Sequence, residues 1–388
     1  MAFPDSFFAP YRVYARKLER RLFGVVTLRT QHSPKGKVLL SYITHPFAIQ
    51  KEELDRSPHT NPWECLIIAK ILLERGYDVD VIDWTNKEFL PRKNYAMVID
   101  IHQNLKRLTP LLPKNCVKIF YATGSYWEYQ NEAEQKRLSE LEKRRGFILS
   151  PRRQVSQSNN LEYADYITTL GNSFTKKTYP DKGKSITSIP LFSNETYPSP
   201  EKKDFAVTKN KFVWIGGGGA IHKGLDIVLE YFAAHPEYEL TICGSAPKEE
   251  DFEKAFSVEL SKKNIHAVGR IDIRGEEFKK IIAEAAALIY PSCSEGQAGS
   301  VITGLHAGLI PIITSSSGVN PEPFGILLKD ISTEEISGAV ESIKKMSSEE
   351  LKERALLTWN YAKENHTKEI FRNAYGEFID AIISERSL

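Results

Sequence analysis

"SCSEGQAGSVITGLHAGLIPIIT" (residues 292–314) follows the apolar run "ALIYP" and places one acid, Glu295, among small residues ahead of a helix-like segment and a second apolar run. A strand ending near Ser292 and a helix opening near Ala298 would leave the N–H groups of Ala298, Gly299 and Ser300 pointing out of the helix start. Small side chains keep those groups open, and the helix dipole adds roughly half a positive charge there. This is an anion site best suited to phosphate. Glu295 would repel a phosphate, so it is better used accepting hydrogen bonds from hydroxyls, as on a sugar. The competing reading is an exposed turn residue or a carboxylate that caps the same helix.

Working outward, the same alternation of apolar run and helical period recurs along the chain. "VLLSYI" (38–43), "DVDVI" (78–82), "YAMVIDI" (95–101), "VKIFYA" (117–122), "YITTL" (166–170) and "SITSI" (185–189) read as strands of a first unit. "KFVWIG" (211–216), "ELTICG" (239–244), "IHAVG" (265–269), "ALIYPS" (287–292), "LIPIIT" (309–314) and "GILLK" (325–329) read as strands of a second. Continuous apolar runs mean strands covered on both faces, as in parallel sheets crossed by helices. Between the first two runs, "NPWECLIIAKILLERG" reads as a helix with Asn61 as N-cap, Pro62 at the first position and Gly76 as the stop. "NEAEQKRLSELEKRRG" (131–146) is a second, strongly charged helix.

The expected organisation is a basic amphipathic arm (1–36), a first Rossmann-like domain (37–196), a linker (197–210), a second Rossmann-like domain (211–348) and terminal helices (349–388). A hinge is expected near Pro198 to Asp204. Two doubly wound α/β domains joined by one linker leave a cleft between the carboxyl ends of their strands, where ligands of open sheets bind.

A length of 388 residues fits two domains, and 41% hydrophobic with 26% charged residues is a globular composition. The net charge of +2 supplies no global field for nucleic acid, and no nucleic-acid partner is expected. Cys65, Cys116, Cys243 and Cys293 form no CxxC pair and no metal-spaced cluster. They read as buried thiols of a reducing, cytoplasmic compartment, with no metal site. No apolar run reaches the roughly 18–20 residues of a membrane span. In "FFAPYRVYARKLERRLFGVV", Phe7, Tyr11, Tyr14, Leu18 and Leu22 form a stripe flanked by Arg12, Arg16, Lys17, Arg20 and Arg21. Such a helix can lie at the inner face of a membrane through residues 7–23, or pack its stripe on its own domain.

A second glycine cluster, "WIGGGGAIHKGLDIVLEYF" (214–232), also lies between a strand and a helix. It fits neither GxGxxG nor the P-loop, since Ile221 takes the third glycine place and no Ser or Thr follows Lys223. What remains is a loop whose backbone can approach a ligand closely, followed by one cation, Lys223. His222 beside it could add a second cation at lower pH.

"GGGGAIHKGLDIVLEYF", "LTICGS", "VGRIDIRGEEFKKIIAEAAALIYPSCSEGQAGS" and "HAGLIPIITSSSG" together resemble the donor-binding domain of family 4 glycosyltransferases of the GT-B fold. The resemblance implies that Lys223 contacts the diphosphate of a nucleotide-sugar, Glu295 the transferred sugar, and Gln297, Ala298, Gly299 and Ser300 the phosphate. On the same resemblance Gly217, Gly218, Gly244 and Arg270 belong to the donor site. Two positions depart from the family. Thr303 stands where a ribose-binding glutamate is usual, and Gly218 where an arginine is usual.

The first domain resembles the family's acceptor side less closely. His102, at the end of "YAMVIDIHQN", corresponds to a histidine facing the donor sugar and is the second catalytic candidate beside Glu295. Thr44 and His45 end the first strand, and Thr123, Gly124, Ser125 and Tyr126 end a later one; these are the acceptor-side candidates. Tyr121, Tyr126, Trp127 and Tyr129 could stack on sugars or belong to the core. The terminal helices resemble those that return to the N-terminal domain in GT-B enzymes. The resemblance implies retaining, metal-independent transfer from a nucleotide-sugar, a substrate and not a cofactor, to a glycan or lipid-linked glycan. Rival readings are a nucleotide-sugar epimerase on the same fold and a degenerate GT-B subunit that binds a glycan or a partner.

Overall fold

A computed structural model of the chain describes residues 5–57 and 59–387; residues 1–4 of the N-terminal arm lie outside the described residues. The first sheet contains β1 (Val25–Leu28), β2 (Gly36–Tyr42), β3 (Tyr77–Asp83), β4 (Met97–Asp100), β5 (Val117–Ala122), β6 (Tyr166–Leu170) and β7 (Ile186–Ile189), in the order β1-β3-β2-β4-β5-β6-β7. The second contains β8 (Lys211–Ile215), β9 (Glu239–Cys243), β10 (Ile265–Gly269), β11 (Ala287–Tyr290), β12 (Ile310–Thr314) and β13 (Ile326–Leu328), in the order β10-β9-β8-β11-β12-β13. Every pairing is parallel except β1 with β3. The fold is therefore α/β, with two doubly wound Rossmann-like domains. Val38, Leu39 and Leu40 in β2 and Ile310, Ile312 and Ile313 in β12 are wholly buried, because helices cover both faces of each sheet.

The four cysteines are free and buried. The helix Asn61–Glu74 is preceded by Thr60 in the cap position, so Asn61 is its first residue and not its cap.

β1 falls inside the stretch expected to be a separate arm. It is an antiparallel edge strand, fixed by Thr27 Oγ1 donating to Asp80 (2.9 Å) and by the Arg29–Asp78 ion pair (2.8 Å). The basic helix Pro10–Phe23 precedes it and buries only Val13. Its stripe faces away from the protein: Tyr11, Tyr14, Leu18, Leu22 and the adjacent Phe23 are exposed, while Phe7 turns inward against Phe47. The stripe does not pack on its own domain.

The linker carries the chain into the second domain and the tail carries it back, and neither crossing falls where the sequence suggests. Leu191 and Phe192 belong to the first core and Tyr197 and Phe205 to the second, so the crossing precedes the expected Pro198–Asp204 hinge. Of the terminal helices, Ser348–Asn365 stays on the second domain, with Leu351, Ala355 and Ala362 in its core. Only Lys368–Arg386 returns to the first, burying Phe371, Tyr375, Ile379 and Ile382. The two crossings are joined at His366. Its Nδ1 bonds the Leu191 carbonyl at 2.7 Å, and its own carbonyl accepts from Ser193 N–H (3.2 Å) and bonds His306 Nε2 (2.9 Å).

The charged helix, Trp127–Arg145, spans the domain boundary. Leu138 and Leu141 enter the second domain's core. Arg137 and Arg144 both donate to Asp226 Oδ2 on the helix Leu225–Ala234, at 2.7 and 2.8 Å, and Arg145 pairs with Glu259 at 2.8 Å. Asp226 and Arg137 are buried, so removing the carboxylate strands a charge. Asp226→Ala should leave Arg137 with only the more exposed Glu140 and lower stability by about 3 kcal/mol in urea unfolding. A loss below about 1 kcal/mol would mean that the latch contributes little.

Candidate functional site

The site forms where β8 and β11, adjacent at the point of reversed strand order, end. After β8 the chain runs through Gly216–Gly219 into the helix Leu225–Ala234; after β11 it runs through Ser292–Ala298 into the helix Gly299–His306. The two loops are tied by His222, whose Nε2 bonds the Ser294 carbonyl at 2.5 Å and whose carbonyl accepts from Cys293 N–H at 2.9 Å. Burial draws the His222 pKa down, so this ring is a neutral structural tie and not the spare cation that its position invited.

Lys223 is buried, and its Nζ donates to the Gly218 carbonyl at 3.0 Å, beneath the glycine loop. Glu295 Oε1 accepts from Tyr290 Oη at 2.8 Å and Ser292 Oγ at 3.3 Å, while Oε2 has no protein donor among the described residues. The two charges make no direct ion pair, yet each acts on the other. Burial alone would raise the Glu295 carboxyl, but the opposing charges, Lys223 foremost and Arg153 among them, hold its pKa below the ordinary value. Burial pulls the Lys223 ammonium down, with Glu295 and Glu249 opposing and Arg153 adding to the drop.

The helix start only partly matches its expected role. The Ala298 N–H donates to the Ser317 carbonyl at 2.9 Å and is spent. Those of Gly299 and Ser300 have no protein acceptor among the described residues. Gln297 is also spent, its Oε1 accepting from Leu191 N–H (2.6 Å) and its Nε2 reaching the Gly318 carbonyl. Thr303 donates its hydroxyl back to the Gly299 carbonyl at 2.9 Å, leaving only an acceptor lone pair for a ligand.

Gly217, Gly218 and Arg270 are exposed around the second domain's strand ends. Gly244 has a different task. Its φ of +131° lets it press against Gly216, whose carbonyl oxygen a Cβ would meet at 1.8 Å.

The first domain closes on this loop directly. Ser125 Oγ donates to the Glu295 carbonyl (2.6 Å) and Thr175 Oγ1 to the Gly296 carbonyl (2.9 Å). A Cβ on Gly296 would lie 2.7 Å from the Thr123 carbonyl oxygen, so the approach requires glycine. Between the domains lies a cavity of about 200 Å³ lined by His102, Thr123, Gly124, Ser125, Tyr126, Trp127, Arg153, Glu295 and Gly296, among others. His102 Nε2 bonds Ser156 Oγ at 2.8 Å, and burial lowers its pKa against the pull of Asp100.

Thr44 and His45 do not line this cavity. The Thr44 hydroxyl accepts from Arg20 of the N-terminal helix at 2.8 Å, and His45 opens a short 3₁₀ turn at the surface. Tyr121 is core, donating to the buried Glu64 at 2.6 Å, and Tyr129 lines a separate groove.

Arg153, Glu249 and His59 escaped the sequence reading. Arg153 sits in "SPRRQVSQSN", a polar run without periodicity whose one signal was its paired arginines. Glu249 accepts from Gly219 N–H (2.5 Å) and Ala220 N–H (3.3 Å). His59 has its pKa lowered by burial first, and then by the charges of Arg270, Lys223 and Arg153.

Residues 209–345 match the family described as Glycosyl transferases group 1. No curated protein matches the chain by sequence. Sucrose-phosphate synthase from Thermosynechococcus elongatus superposes with a TM-score of 0.62 at 14% identity, over 91% of this chain and 100% of that one. HepE from Anabaena, in complex with UDP-glucose, superposes at 0.56 and 13% identity, over 89% of this chain and 100% of that one. The chain has the GT-B fold, and its second domain carries the match to the family described as Glycosyl transferases group 1. In this GT-B frame the Lys223–Glu295 pair lies on the second domain's face of the cleft and His102 on the first domain's, with the cavity between them.

Only the protonated form of Lys223 can hold an anion, so anion affinity should follow its protonation. It should fall as pH rises towards the depressed pKa of Lys223, before an ordinary lysine would lose its proton. Titration with pyrophosphate between about pH 7 and about pH 10 reads this limb, which Lys223→Met should abolish together with most of the binding.

Proposed function

We propose that this protein is a glycosyltransferase that moves a hexose-type sugar from a nucleotide-diphosphate donor to a glycan or lipid-linked glycan, with retention and without a metal. One observation carries the reading: the Glu295 carboxylate, with one oxygen free, stands near the buried Lys223 and the unspent amides of Gly299 and Ser300. In this reading the ammonium and the amides hold the diphosphate and stabilise the charge that builds on it as the glycosidic bond breaks. Glu295 Oε2 accepts from sugar hydroxyls and orients the ring, and neutral His102 bonds the sugar from the opposite wall of the cavity. The departing phosphate oxygen then takes the acceptor's proton on the same face, so no strong protein base is needed. That HepE holds UDP-glucose makes UDP-sugars the first donors to try.

The exposed stripe of the N-terminal helix supports a second part of the proposal, peripheral docking on an anionic membrane. Tyr14 and Phe23 are each 71% exposed, beside the exposed Arg12, Lys17 and Arg21. Aromatic and aliphatic side chains enter the interface while the cations meet the lipid headgroups. Among the described residues no helix is long and apolar enough to cross a membrane.

Purified protein given UDP-, GDP- and ADP-sugars should release nucleoside diphosphate with one of them, insensitive to EDTA. Glu295→Ala should slow that release roughly 100-fold. Wild-type protein that binds a donor without turning it over would point to a binding subunit, and absence of all nucleotide binding would overturn the reading. Separately, the protein should sediment with phosphatidylglycerol vesicles at low salt and far less with phosphatidylcholine. The triple change Tyr14→Glu, Leu18→Glu, Leu22→Glu should abolish the association; equal sedimentation of the variant would exclude this helix.

A further inference from the structure

The segment after the helix Trp127–Arg145 crosses the boundary between the domains and is fixed from both sides. On the first domain's side, Glu134 accepts from the N–H groups of Arg152 (2.9 Å) and Arg153 (2.8 Å), and Gln130 donates to the Arg153 carbonyl at 2.6 Å. On the other, Asp251 accepts from Ser150 N–H at 3.0 Å and pairs with Arg152 at 2.7 Å. The backbone at Arg153 is thus held in place before any ligand arrives.

Between residues 127 and 155 the arginines are Arg137, Arg144, Arg145, Arg152 and Arg153. The first four pair with carboxylates. Arg153 makes no ion pair among the described residues. Its stem lies on the glycine loop: a Cβ on Gly219, where φ is +92°, would fall 2.5 Å from Arg153 Cγ and 2.9 Å from Cδ. It lines the same cavity as Glu295.

Two further facts fix what this guanidinium can serve. The amides of Gly219 and Ala220 are already taken by Glu249, so those two are not available to an anion. Arg153 also bears on Lys223 as a like charge, a repulsion for which the protein supplies no directly paired carboxylate. A ligand carrying two or more negative charges would satisfy both cations at once.

We propose that Arg153 binds the diphosphate of the nucleotide donor, reaching it from the first domain's side of the cleft while Lys223 reaches it from the second's. The inference rests on the donor reading given above. A planar fork fixed at its backbone suits bidentate contact with phosphate oxygens, and losing it costs the diphosphate more than a monophosphate farther from the sugar.

Titration calorimetry with UDP against UMP, GDP against GMP and ADP against AMP tests this on wild-type protein, Arg153→Ala and Arg153→Lys. For the nucleotide that wild-type protein binds, Arg153→Ala should weaken diphosphate affinity about 10- to 100-fold and monophosphate affinity less than about threefold. Arg153→Lys should recover part of the loss, since a point charge remains without the fork. An unchanged melting temperature confirms that the variants are folded. Unchanged diphosphate affinity in Arg153→Ala, or an equal fall for both members of a pair, overturns the role of Arg153 while the donor reading stands. Failure of wild-type protein to bind any of the six nucleotides overturns the donor reading and this inference with it.

Discussion

Lys223 and Glu295 are held near each other without touching, and the rest of the site is arranged around that separation. A direct ion pair between them would neutralise both and leave nothing for a ligand. Each is instead anchored elsewhere, Lys223 on the Gly218 carbonyl and Glu295 on Tyr290 and Ser292. The anchors are local, within a few residues of each charge. The tie between the loops is a neutral imidazole, His222, which adds no charge of its own. Burial strengthens the mutual field, because the surroundings screen it less than water would. The result is one carboxylate and one ammonium whose ionised forms support each other across space.

The chain also invests heavily in keeping the two domains in register. The loop bearing Glu295 is gripped from the first domain by Ser125, Thr175 and the Leu191 amide. The linker and the returning chain are stitched together at His366, itself bonded to His306 at the end of the helix whose start faces the ligand. His306 thereby ties the helix Gly299–His306 to the double crossing. The helix Trp127–Arg145 adds a third connection, with Asp226 shared by two arginines. Three connections differ in kind (hydrogen bonds, a backbone stitch, buried ions), so loosening one leaves the others to hold the cleft.

How much of this was legible follows from the range over which each signal acts. The parallel strands could be read because both faces are covered, which writes the strand into consecutive residues such as "VLLSY" and "LIPIIT". β1 could not: four residues, antiparallel and at the edge, inside a basic segment, leave no run long enough to notice. Lys223 and Glu295 were legible because strand-to-helix loops with small residues are local features. Arg153 was not, since its importance comes from lying over Gly219, some 66 positions later in the chain. The charged helix misled for the same reason. Its periodicity is that of a solvated surface, and only the fold shows that its arginines meet carboxylates of the other domain. Gln297, Ala298 and Ser125 failed differently: the right loops were identified, but their polar groups are used to hold the loops together.

The departures at Gly218 and Thr303 then have a physical reading. An arginine at 218 would stand beside Glu249, whose carboxylate oxygen would lie 3.3 Å from its Cβ, and the two side chains would pair with each other. With glycine there, Glu249 turns to the loop amides, and in the role proposed for Arg153 the cation comes from across the cleft. Moving that charge to the first domain changes what donor binding does. A cation on the same domain as Lys223 would bind the diphosphate whether the cleft was open or closed. A cation on the opposite side binds it only when the domains are in register, so the closed form has the higher affinity, and the ligand stabilises closure by that difference and no more. Thr303 returns its hydroxyl to Gly299, so in the same proposal discrimination between open and closed forms rests on the diphosphate and not on the ribose.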